Sequence, residues 1–156
     1  STGTGSVIRP GDVQRMTAGT GIRHSEFNAS QTVPVHLLQI WILPEENGLA
    51  PGYEEKHFAT EEKRGRLRLI ASRDGRQGSL TIRQDVDLFG TVLDEGETVT
   101  HETRPERKLW MQLVWGTVEV NGHKARAGDG LAIENESRLA VAATSEAELL
   151  LFDMTA

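Results

Sequence analysis

No part of the chain sustains a helical period. From SVIR at 6–9 to LLLFDMT at 149–155, branched and aromatic residues come in short runs. Gly, Asp and Asn interrupt them roughly every 8 to 12 residues, the spacing of strands and tight turns. An amphipathic helix would need apolar residues at i, i+3, i+4 and i+7 over several turns. Helical bundles and doubly wound sheets are therefore not expected, and the pattern indicates an all-β sandwich or barrel. SVIRPGDVQRM reads as strand, turn at Pro10-Gly11-Asp12, strand. VPVHLLQIWILP, 33–44, reads as a strand covered on both sides: Val35, Leu37, Gln39, Trp41 and Leu43 share one face, and Pro34, His36, Leu38, Ile40 and Ile42 the other. Residues 44–63 read as a polar irregular crossing, with a helical turn near 60–64. Strands follow in RLRLIAS, SLTIRQDVDLFGTVL, TVTHETR, KLWMQLVW and TVEV, and Asn121-Gly122 suits a type I′ hairpin. PGD at 10–12 and AGDG at 127–130 each follow an arginine and precede a strand, a weak internal repeat that suggests two related β units, only the second complete.

Composition narrows the function classes. At 156 residues the chain holds one domain, or one and a half. Lys plus Arg number 17 against 23 Asp plus Glu, and the one basic run is EEKRGRLRL at 61–69, so no direct contact with nucleic acid is expected. Cysteine is absent, which removes disulfide and thiol chemistry. No apolar run approaches the roughly 20 residues of a membrane-spanning helix, so no membrane partner is expected. With no compartment signal, the default expectation is cytoplasmic.

The candidate chemistry lies in GIRHSEFN, 21–28. In a strand, His24 and Glu26 would face one side about 6.5–7 Å apart. Imidazole and carboxylate suit iron, manganese or zinc, but two ligands seldom hold a metal against water, and a polar strand end is the plainer reading. His36 reads as a packed or hydrogen-bonded histidine, and His123 as exposed. His57 reads as a tie for the crossing arm, with Tyr53 and Phe58 as packing anchors. Trp41 reads as core, and Trp110 and Trp115 as lying on opposite faces because their separation is odd.

SVIRPGDVQRMTAGTGIRHSEFN (6–28), VHLLQIWILP (35–44) and PGYEEKHF (51–58) resemble the pirin family of the cupin superfamily; KLWMQLVWGTVEVNG and ARAGDGLAIENE resemble its C-terminal cupin. The resemblance implies double-stranded β-helix (jelly-roll) barrels: residues 1–44 as the later part of an N-terminal cupin, 45–64 as a crossing segment, and 65–156 as one complete C-terminal cupin. It also implies a metal, usually iron, held in the N-terminal cupin by three histidines and a glutamate. His24 and Glu26 correspond to the third histidine and the glutamate. The other two histidines belong to an upstream H-P-H-R-G segment that this sequence does not contain, so it reads as the back end of a longer protein.

In the second cupin, His101 matches the first histidine of the general metal motif, but Thr103 stands at the second. Arg107 and Lys108 stand near the expected glutamate, so no metal is expected there. Some bacterial members resemble quercetinases; eukaryotic members are nuclear cofactors of transcription regulators. The implied function is a metal-dependent dioxygenase that cleaves quercetin or a related flavonol with O₂. Its cofactor would be Fe(II) or another divalent transition metal, and Glu26 would act as ligand or as acceptor of the flavonol proton. The chain alone is expected to be inactive and metal-poor. The alternative is a non-catalytic binding or regulatory module, whose open sheet edges would pair copies into a homodimer.

Overall fold

The structure is a computed structural model that describes residues 5–155. Strands β1 (Asp12–Thr17) and β2 (Gly52–His57) are followed by a one-turn helix, α1 (Thr60–Lys63). Then come β3 (Arg68–Ser72), β4 (Leu80–Thr81), β5 (Val86–Leu93), β6 (Thr98–Glu102), β7 (Arg107–Trp115) and β8 (Thr117–Val120). β9 (His123–Arg126), β10 (Gly130–Ile133), β11 (Arg138–Ala143) and β12 (Ala147–Thr155) complete the order. β1 and β2 form an antiparallel ribbon. The others form a six-stranded sheet in the order β10-β7-β12-β5-β3-β4 and a four-stranded sheet in the order β6-β11-β8-β9. The all-β reading is met.

The two larger sheets pack face to face. Strand alternation puts Leu149 and Leu151 of β12 into the core between them, beside Met111 and Leu113 of β7 and Val118, Leu139 and Val141 of the smaller sheet. The intervening residues, Leu150, Phe152 and Met154, join a second cluster on the other face of the six-stranded sheet, with Phe58, Ile70 and Leu88. Phe58 is fully buried there, with the Arg68 guanidinium 5.2 Å from its ring centre. Burying a side chain of this size is worth about 1.5–3 kcal/mol, which fastens the β1–β2 ribbon to the sheet.

The weak repeat is a structural one. At Arg9–Asp12 and again at Arg126–Asp129, the aspartate Oδ2 accepts from the arginine N–H, at 2.7 and 2.9 Å. In both turns the aspartate N–H donates to the arginine carbonyl at 2.9 Å. Gly11 and Gly128 both sit at φ +91°, a left-handed conformation open to glycine. β1 follows the first turn and β10 the second. The Asn121-Gly122 hairpin also forms, with φ of 45° and 84°.

Several expectations fail. Residues 6–9 and 33–44 contain no strand. No strand among the described residues lies alongside 33–44 to accept its backbone hydrogen bonds, and an unpaired extended segment gains nothing from its β propensity. Trp41 is consequently 88% exposed rather than core, and His36 is exposed rather than packed. The crossing at 44–63 is not irregular throughout, since it supplies β2; its helical turn is α1. Trp110 and Trp115 lie on one face, not two. Trp110 pairs with Phe152 and Trp115 with Glu148, but Leu113 pairs with Leu149, so a bulge at Val114 inserts one residue and reverses the parity.

Candidate metal centre

His24 and Glu26 lie in an irregular, exposed stretch rather than in a strand, so the same-face argument for an alternate pair does not apply to them. Glu26 is instead placed by the ribbon. In the β1–β2 register Asp12 faces His57, Gln14 faces Glu55 and Met16 faces Tyr53, which puts these six side chains on one side. Gln14 Nε2 donates to Glu26 Oε1 at 2.7 Å. The Tyr53 hydroxyl lies 3.2 Å from Gln14 Oε1 and 3.1 Å from Ser6 Oγ, and it also donates to Glu55. Burial, and then the bond to Glu55, raise the Tyr53 phenol above its ordinary value. Tyr53 is thus a half-exposed hydrogen-bonding residue, not a packing anchor. His57 does tie the arm, with Nδ1 2.7 Å from Asp12 Oδ1. The Arg9 backbone N–H and then His57 hold the Asp12 carboxyl below its usual range. The ribbon's other side grips the neighbouring sheet through Glu54, which bonds Arg15 at 2.9 Å and the Thr81 N–H at 3.3 Å.

The donor atoms suit a divalent transition metal. His24 makes no hydrogen bond or ion pair with the described residues, so among them its ring nitrogens are uncommitted. A ligating carboxylate commonly has a partner that fixes its orientation, and Gln14 supplies that bond to Glu26. The donors are two, however, and among the described residues no group of three His, Cys, Asp or Glu side chains could hold an ion.

His101, the other histidine with motif spacing, is committed elsewhere. Its Nε2 lies 2.8 Å from Asp153 Oδ2, and its ring centre 5.3 Å from that of Phe89. Arg107 donates to Asp153 Oδ1 at 2.5 Å and pairs with Asp85 at 2.8 Å. Burial would raise the Asp153 carboxyl, but the bonds from His101 and Arg107 outweigh it and hold the group below its usual range. Lys108 points elsewhere, to Glu134 at 3.0 Å, so one cation rather than two joins this cluster. Thr103, at the second histidine position, has a buried hydroxyl with no partner among the described residues. Asp153 was legible as the one acid within the apolar run LLLFDM, since a buried charge requires partners. Asp85 and Gln14 carried no comparable signal. A cleft of about 640 Å³ lies between residues 38–43 and the outer side of the six-stranded sheet, and neither His24 nor Glu26 lines it.

Residues 69–154 match the family model described as quercetinase C-terminal cupin domain, and residues 1–42 match that described as pirin. The chain belongs to the pirin family. It is a cupin-type protein similar to a quercetin 2,3-dioxygenase of Escherichia coli (strain K12), 45% identical over 154 residues, which are 99% of this chain and 65% of that protein. The crystal structure of YhhW from Escherichia coli covers 99% of the chain at 45% identity and TM-score 0.92; the match spans 64% of that structure. The nickel(II) complex of the bacterial pirin YhhW covers 93% at 48% identity and TM-score 0.86, over 62% of its own length. This pirin-family chain thus spans just under two thirds of the length of these relatives. For the pirin family as a whole, these likenesses support a quercetinase-like cupin function.

Proposed function

We propose that this chain contributes His24 and Glu26 to the centre of a flavonol dioxygenase that opens quercetin or a related flavonol with O₂, with Fe(II) or another divalent transition metal as cofactor. The observation that carries the reading is Glu26, hydrogen-bonded by Gln14 and two residues along the chain from His24, which has no partner among the described residues. Residues 1–44 then act as the later part of a metal-bearing cupin and 45–64 as a crossing segment. Residues 65–156 close as a double-stranded β-helix whose His101 is held by Asp153 rather than by a metal. A bound metal supplies Lewis acidity and redox chemistry toward O₂. His24 gives a neutral nitrogen. Glu26 gives a carboxylate oxygen and, when detached, accepts the proton of the flavonol hydroxyl. Two donors do not retain a metal against water, so the activity belongs to a longer assembly that supplies the rest.

Metal analysis after anaerobic loading with Fe(II) or Mn(II), followed by a quercetin-consumption assay, tests this reading. The expected result is well under one ion per chain, further reduced in His24→Ala, and no turnover by the chain alone. One firmly held ion per chain that survives His24→Ala would overturn the assignment.

A second reading has its own observation. Phe27, Trp41 and Leu43 are each more than 80% exposed, and the outer edges of the β1–β2 ribbon are unpaired among the described strands. Such a surface fits a non-catalytic module that pairs with a second copy. Light scattering across the micromolar range would show a rising mass; a constant monomer excludes it.

A further inference from the structure

Glu26 sits in backbone that no sheet holds, yet its carboxylate meets one side chain of the ribbon. A carboxylate only accepts, so the Gln14 amide must turn its NH₂ end toward Glu26. Its carbonyl end then faces the Tyr53 hydroxyl, 3.2 Å away. The phenol has a single proton and two acceptors beside it, Gln14 Oε1 and Glu55, while Ser6 can donate to the phenol oxygen. The cross-strand register fixes the origin of this row, because Gln14 stands opposite Glu55 and Tyr53 lies two residues earlier in β2, on the same side.

We infer that Gln14 is the positioning residue of Glu26, and that Tyr53 sets which way the Gln14 amide faces, so that the ribbon aims a carboxylate its own loop cannot aim. The chain's regular structure thereby reaches the candidate ligand through two side chains, neither of which is itself a candidate ligand. The inference deepens the ligand assignment of Glu26 and rests on it for its consequence in metal binding; the placement of Glu26 itself does not require a metal.

The test uses this chain with Gln14→Met, which keeps length and removes both hydrogen bonds, and Tyr53→Phe, which removes only the hydroxyl. Two readouts are taken. In metal-free protein, the heteronuclear NOE of the Glu26 amide reports its order. In a titration with Mn(II), broadening of the His24 ring signals reports affinity. Gln14→Met is expected to lower the NOE at Glu26 and to weaken Mn(II) about tenfold, in line with partners that orient ligands. Tyr53→Phe is expected to move both in the same direction by less. An unchanged thermal midpoint in both variants separates positioning from general loss of fold. Wild-type order and wild-type Mn(II) affinity in Gln14→Met overturn the inference while leaving the ligand reading intact. Unchanged behaviour in Tyr53→Phe alone overturns the part assigned to Tyr53. If even a large excess of Mn(II), enough to populate a weak two-donor site, leaves the wild-type His24 ring signals unbroadened, the ligand reading fails, and the NOE comparison by itself decides whether Gln14 positions Glu26.

Discussion

Residues 36–43, HLLQIWIL, and residues 108–115, KLWMQLVW, are both apolar runs of Leu, Trp and other large apolar side chains around a single Gln. The second is the body of β7, hydrogen-bonded to β10 on one side and β12 on the other, with Leu109, Met111 and Leu113 at most 2% exposed. The first is no strand, and leaves Trp41 88% and Leu43 82% exposed. Propensity and alternation are common to both. What differs is whether neighbouring strands satisfy the backbone and whether an opposing sheet receives the apolar face. A strand is thus a property of a pairing: β7 has partners on both sides, and among the described residues 36–43 has none.

That contrast can be broken most forcefully at Asp153. Asp153→Ala would leave His101 and Arg107 buried without their shared partner. It should cost about 3–5 kcal/mol, as expected when one member of a buried ionic group is removed, read as a lower urea midpoint by circular dichroism. A change under about 0.5 kcal/mol, the scale of an ordinary surface substitution, would mean the cluster does not stabilise this half. The next comparison is direct. Leu113→Ala, at a fully buried position, should cost roughly 2–5 kcal/mol. Leu43→Ala, in the matching apolar run, should stay within about 0.5 kcal/mol. Equal losses would show that 36–43 is packed as β7 is.

The smallest effect is the acid limb. The Asp153 carboxyl is held below its ordinary value, so its contribution to stability is complete above the unfolded-state value, about 3.9. It is lost as pH falls through the lower folded value. Stability should therefore drop below about pH 4, and Asp153→Asn should flatten that limb. An identical acid limb in wild type and variant would assign it to other carboxyls.

The all-β class, β3 to β8 and the hairpin at Asn121-Gly122 were legible in the sequence because each is signalled locally, by alternation and by turn residues; the division of residues 124–155 into β10, β11 and β12 was not drawn. The paired RPGD and RAGD turns were legible for the same reason, since the aspartate caps its own turn. β2 was not, because GYEEKH carries few apolar residues. Its strand is fixed by β1 across the register and by Phe58 just beyond it, which are long-range facts. The face of Trp115 was misread because a single inserted residue changes parity and leaves no mark in the composition. In the site, His24 and Glu26 were visible as residue types. Gln14 was not, because a glutamine in a strand is ordinary until the partner it reaches is known.

The bulge in β7 has an optical consequence. By turning Trp115 to the side of Trp110, it leaves both indoles partly exposed, at 44% and 39%, while Trp41 outside the sheet is 88% exposed. The core between the sheets contains no tryptophan. Intrinsic emission from this chain therefore reports its surface: a quencher or ligand resting on the outer side of the six-stranded sheet addresses two indoles together, while melting of the Leu and Val core changes the colour of the emission little.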